Sequence, residues 1–122
     1  MTEPKRKTIL VVEDETDILY SLEIFLESCG YRVLTAENGQ AALERIEEAG
    51  RPDLILLDMK MPVMSGWQFA EKYHSAPGTH APILVMTAAA DAETRAKDSG
   101  ALAWIGKPFA LQELLELVRK YC

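Results

Sequence analysis

Cysteine is scarce in this chain, and the little there is cannot brace it. Cys29 and Cys122 are too few for a disulfide framework, and no signal peptide is expected ahead of them. A reducing cytoplasm is the expected compartment, with Cys29 a reduced, buried thiol on a helix's apolar face and Cys122 frayed at the last residue. Long apolar runs are also missing: none approaches the ~20 residues that a membrane-spanning helix needs. Basic residues cluster once, at Lys5-Arg6-Lys7, read as a solvated lead-in to the first strand. Set against a net charge of −6 and a pI near 4.9, that cluster argues against direct contact with nucleic acid or an anionic membrane. Linkers, low-complexity tracts and internal repeats are absent too. With 48% hydrophobic and 26% charged residues, the span 1–122 is expected to be one globular domain.

What the sequence does have is alternation. The β-branched run at 8–12 predicts a strand. Residues 15–28 carry Ile18, Leu22, Phe25, Leu26 and then Cys29 at helical spacing, with Gly30 as the stop. A less apolar strand over 31–35 suits a sheet edge. Asn38 can cap a helix over 39–48 that turns Ala42, Leu43 and Ile46 inward. The run 53–57 is a third strand, and Ser65 can cap a helix to about Tyr73 with Trp67, Phe69 and Ala70 for packing. Residues 75–80 read as loop, with His74 and His80 in this polar region, and Pro82 opens a fourth strand. A short helix over 91–98, a fifth strand over 102–106 and a last helix over 109–121 complete the chain. These alternations predict an α/β fold: a doubly wound, five-stranded parallel sheet in flavodoxin-like order 2-1-3-4-5, with five helices on both faces. The first, third and fourth strands read as continuous apolar runs, so they belong at the centre.

The chemistry lies where those strands stop. The first ends at Glu13-Asp14, the third at Asp58, the fourth at Thr87 and the fifth at Lys107-Pro108. In an open parallel sheet these ends share one crevice. Three carboxylates crowded there repel one another, and a hard divalent cation resolves the repulsion. The absence of His and Cys from the set argues against zinc. A compact lysine, a small hydroxyl and a metal suit phosphoryl transfer better than acid–base hydrolysis. One carboxylate is then the nucleophile, and Asp58, alone on the central strand, is the candidate.

Four motifs in order carry a resemblance over the whole length: Val11-Val12-Glu13-Asp14, the run from Leu56-Leu57-Asp58 to Met64-Ser65-Gly66, Met86-Thr87-Ala88, and Lys107-Pro108-Phe109. The chain resembles a response-regulator receiver domain of two-component signalling. The resemblance implies that Asp58 accepts a phosphoryl group from a sensor histidine kinase or a histidine phosphotransfer protein. It implies a Mg²⁺ cofactor, replaceable by Mn²⁺, held by Asp14 directly, Glu13 largely through water, Asp58, and the backbone carbonyl of Lys60. It further implies that Lys107 pairs with Asp58 and then with the phosphoryl group, that Thr87 bonds that group, and that the Lys107–Pro108 peptide is cis. Trp104 stands at the switch-aromatic position, three residues before Lys107. Output would pass through the fourth helix, fifth strand and fifth helix to a protein partner or output domain, from a monomer or a phosphorylation-dependent dimer. A domain of this kind is a switch and not a classical enzyme, although it catalyses its own phosphoryl transfer and slow autodephosphorylation.

The chain departs from the family pattern at two places. Trp104 replaces a Tyr or Phe, so it is either a retained switch, the preferred reading, or an outward part of a partner surface. The span from Thr87 to Lys107 is short, and 91–98 has no large apolar anchor, which predicts a short or mobile fourth helix. A haloacid-dehalogenase-like phosphatase would want a second acid where Lys60 stands, and a flavin protein a phosphate cradle after the first strand. A degenerate receiver acting as a constitutive binding module conflicts with the full set Glu13, Asp14, Asp58, Thr87 and Lys107. A stand-alone receiver and a receiver excised from a larger regulator or hybrid kinase both stay open, Met1 favouring a natural start.

Overall fold

The computed structural model describes residues 6–59, 61, 63–88, 94, 97 and 100–122. Five parallel strands form one sheet in the order β2-β1-β3-β4-β5, as the alternation predicts. They are β1 (Thr8–Val12), β2 (Arg32–Ala36), β3 (Leu54–Asp58), β4 (Ile83–Ala88) and β5 (Ala103–Lys107). Four continuous helices accompany them among the described residues: α1 (Thr16–Ser28), α2 (Gly39–Ala49), α3 (Gly66–Ser75) and the C-terminal α4 (Leu111–Tyr121). The helix expected over 91–98 lies outside the described residues, apart from Thr94 and Lys97, which are helical. Its expected mobility lies outside them as well.

Burial follows from alternation along the central strands. Leu10 and Val12 of β1, Ile55 and Leu57 of β3, and Ile83 and Val85 of β4 face α2 and α3, meeting Ala42, Phe69, Ala70 and Tyr73. Ile9, Val11, Leu54, Leu56, Leu84 and Met86 face the other way, onto Leu19, Leu22 and Leu26 of α1 and Leu114 and Val118 of α4. Covered on both faces, β3 is buried at every position, which is why it reads as an unbroken apolar run.

Local chemistry fixes the starts of α2 and α3. Asn38 accepts a hydrogen bond from the Ala41 N–H at 2.8 Å. Ser65 and Gln68 form a capping box at the start of α3. No helix among the described residues is long and apolar enough to cross a membrane.

Three expectations need correction. Cys29 is half-buried and not fully buried, because it is the C-cap of α1, where the backbone leaves helical geometry. The fully buried stripe of α1 contains the expected Leu22 and Leu26 together with Leu19, which was not expected, while Ile18 and Phe25 are only partly buried against the same core. His74 belongs to the last turn of α3 and not to a loop, packed with Tyr73 and His80 near the start of β4.

Val63 adopts a left-handed backbone, φ 66°, while 82% exposed. This is strained for a β-branched residue. The loop holds it there: Met64 is buried and its carbonyl accepts the Gly39 N–H at 3.1 Å. Val63→Gly is therefore expected to stabilise the fold by about 0.5–1 kcal/mol, the left-handed strain relieved outweighing the freedom glycine adds to the unfolded chain. Urea unfolding checks this, and a lowered midpoint would contradict it.

Candidate functional site

Parallel register brings the strand ends together. Val12 of β1 pairs with Leu57 of β3, so Glu13 and Asp14 emerge beside Asp58, the last residue of β3. Asp58 in turn pairs with Met86, the residue before Thr87. Thr87 pairs with Gly106, and Ala88 with Lys107. Glu13, Asp58 and Thr87 are buried, whereas Asp14 is partly exposed. One carboxylate oxygen from each of Glu13, Asp14 and Asp58 lies within 4.8 Å of the others.

The Lys107–Pro108 peptide is cis. The Lys107 ammonium donates a hydrogen bond to Glu13 Oε1 and lies 3.6 Å from Asp58 Oδ1. Its nearest carboxylate is therefore Glu13, a pairing absent from the sequence-based expectation. Glu13 Oε2 is buried with no hydrogen-bond partner among the described residues.

Burial dominates the acid–base balance here. It pushes Glu13 from its ordinary 4.5 up to about 8, against the pull of Lys107. Burial also raises Asp58, opposed by the adjacent Glu13 carboxyl and the charge of Lys107. Burial alone would lower Lys107, but its hydrogen bond to Glu13 and the charges of Glu13 and Asp58 leave it raised.

A sign follows for stability. Glu13 binds its proton more tightly folded than unfolded, so its contribution is whole below pH 4.5 and lost as pH rises to about 8. Melting temperature in a chelating buffer is expected to fall across that window, and Glu13→Gln to flatten the fall. A wild-type profile that rises with pH there would contradict this.

An all-oxygen donor set around an orphaned buried carboxylate oxygen matches a hard divalent cation. Lys60, expected to add its carbonyl, lies outside the described residues. Trp104 on β5 faces outward, 44% exposed, over a groove shared with Glu113, Glu116, Leu117 and Lys120 of α4. His74 and His80 sit at the opposite end of the sheet from Asp58, beside Ala81, whose N–H donates to the Tyr73 hydroxyl. Sequence reasoning missed a groove of about 620 Å³ beside Lys107, lined by Ile18, Leu22, Pro108, Phe109 and Leu111. Its signal was the apolar Ile18 on the partly exposed side of α1.

Comparison with known proteins agrees in fold and in sequence. The family model of the response regulator receiver domain matches residues 9–119. The response regulator MprA of Mycolicibacterium vanbaalenii is 40% identical over 113 residues, covering 91% of this chain and 48% of MprA. The transcriptional regulatory protein PdtaR of Mycobacterium tuberculosis is 37% identical over 118 residues, 94% of this chain and 55% of that one. The chain thus spans about half the length of the curated relatives it matches. Among solved structures, the chemotaxis response regulator CheY4 of Vibrio cholerae superposes with a TM-score of 0.87 at 31% identity, covering 97% of this chain and 100% of CheY4. The response regulator TrrA of Thermotoga maritima, solved with Mg²⁺ and BeF, gives 0.83 at 35% identity, covering 95% and 99%.

Proposed function

This chain belongs to the response regulator receiver family, and from that premise we propose that Asp58 is its phosphoacceptor. The observation that carries the reading is the convergence of Asp58 with two further carboxylates and one lysine at adjacent parallel strand ends. The donor is the phosphohistidine of a sensor kinase or phosphotransfer protein. An oxygen of Asp58 attacks phosphorus, the P–N bond breaks as the P–O bond forms, and the imidazole leaves.

Asp14 and Asp58 would hold Mg²⁺ directly and Glu13 largely through water, and the Lys60 carbonyl would be the expected further ligand. When bound, the ion supplies positive charge against the transferring oxygens. Lys107 neutralises the remaining phosphoryl charge, and Thr87, buried one residue past the partner of Asp58, donates a hydrogen bond to it.

Phosphorylation adds charge and acceptor oxygens between Thr87 and Lys107. Their displacement biases β5 and α4 between two packings, and Trp104 reports the shift to a protein partner or output domain. The domain acts through proteins in the cytoplasm, not on nucleic acid or membrane directly.

Beryllofluoride, an acyl-phosphate mimic, tests the reading. Together with Mg²⁺ it is expected to raise the melting temperature of the wild type and to leave Asp58→Asn unmoved. No rise in the wild type would support a constitutive binding module instead.

A further inference from the structure

His74 and His80 form a pair of imidazoles remote from the phosphoacceptor end of the sheet. Their ring planes cross at 89° with centroids 5.8 Å apart. A metal bound through one nitrogen of each ring lies about 3.2 Å from each centroid, so two such ligands on a four-coordinate zinc have centroids about 5–6 Å apart. His80 Nε2 lies 2.8 Å from the Ala76 carbonyl oxygen, which can only accept, so Nε2 carries the proton and Nδ1 keeps its lone pair. Tying the second ring nitrogen to a backbone carbonyl is how proteins orient a histidine that ligates a metal.

The seat is preformed. Tyr73 meets the His80 ring edge-on at 4.9 Å, stacks on Phe69 at 5.6 Å, and accepts the Ala81 N–H at 2.7 Å through its hydroxyl. Phe69 and Tyr73 are buried, whereas His74 is exposed and His80 half-buried, so an ion can enter. Partial burial and the charge of His80 hold His74 below its ordinary 6.5, which keeps a ring nitrogen free of its proton at neutral pH.

From this geometry we propose that His74 and His80 together bind one divalent transition ion of the zinc class, tying the last turn of α3 to the entry of β4. Imidazole nitrogens favour such an ion, whereas the carboxylates around Asp58 favour a hard one, so the two sites sort metals by donor type. Water completes the coordination on the exposed side. His74 Cε1 also lies 3.5 Å from where a Cβ on Gly100 would stand, so the staple borders the turn that leads into β5.

Zinc chloride titrated into the full chain by calorimetry, with excess Mg²⁺ to occupy the acids, tests this. The wild type is expected to take one equivalent with a dissociation constant on the order of 10 μM, and His74→Gln and His80→Gln each to weaken it at least about tenfold. Zinc binding that both variants keep, or that only one of them weakens, overturns the proposal, as does a wild type that takes up none. A second readout uses only wild type labelled with nitrogen-15 in histidine, so it does not depend on the variants folding. Zinc is expected to shift His80 Nδ1 and one ring nitrogen of His74 while His80 Nε2 stays protonated. Shifts confined to one ring, or found in neither, overturn the proposal and leave the phosphoacceptor reading standing.

Discussion

Gly66→Val is expected to destabilise the chain by about 3 kcal/mol or more, at the upper end of what overpacking does. A Cβ on Gly66 would stand 2.6 Å from the Asp58 carbonyl oxygen, 2.7 Å from Met59 Cα and 2.7 Å from Met59 Sδ. Two of those three atoms are backbone, so no side-chain rotation relieves the contact. The α3 N-terminus would have to withdraw from β3, losing the bond from the Gly66 N–H to the Met59 carbonyl at 3.0 Å. With a domain's total stability near 5–15 kcal/mol, such a loss is a large share. The same withdrawal would displace the end of β3 that carries Asp58. Urea unfolding measures the effect, and a change below about 0.5 kcal/mol, the range of ordinary surface substitutions, would contradict the packing described.

Asp14→Ala is expected to weaken Mg²⁺ binding about a hundredfold, or about 2.7 kcal/mol, while leaving the fold intact. Asp14 is the partly exposed member of the carboxylate cluster, so the substitution opens no core cavity. It removes one formal charge and one oxygen ligand where few protein ligands are available. Calorimetric titration gives the affinity and a melting curve gives the fold. A dissociation constant within twofold of the wild type would remove Asp14 from the cation site.

The sequence disclosed the strand ends well, because the chemistry of a parallel sheet is written in linear order. Each apolar run stops at its functional residue: Asp58 closes β3, Lys107 closes β5, and Glu13 follows β1. Strand boundaries shifted by one residue for β2, β3 and β5, with no effect on which groups converge. Helix faces were less legible. The expected stripe includes Leu22 and Leu26, which are buried, but it omits Leu19 and overruns to Cys29, where helical periodicity ends at the C-cap. Ala76-Pro77-Gly78 signals a turn that hides the last turn of α3, which carries His74 and runs on to Ser75.

The bond from Lys107 to Glu13 was not legible, whereas the expected approach of Lys107 to Asp58 is found at 3.6 Å. Linear order places Glu13 and Asp58 at adjacent strand ends and does not rank them.

Phosphorylation by acetyl phosphate, read by intact mass and then by peptide mapping after reductive trapping, tests the central claim most directly. The account predicts one added phosphoryl group, dependent on Mg²⁺, on the peptide containing Asp58 and absent from Asp58→Asn. A wild type left unmodified, or an Asp58→Asn chain modified to the same extent, would contradict it.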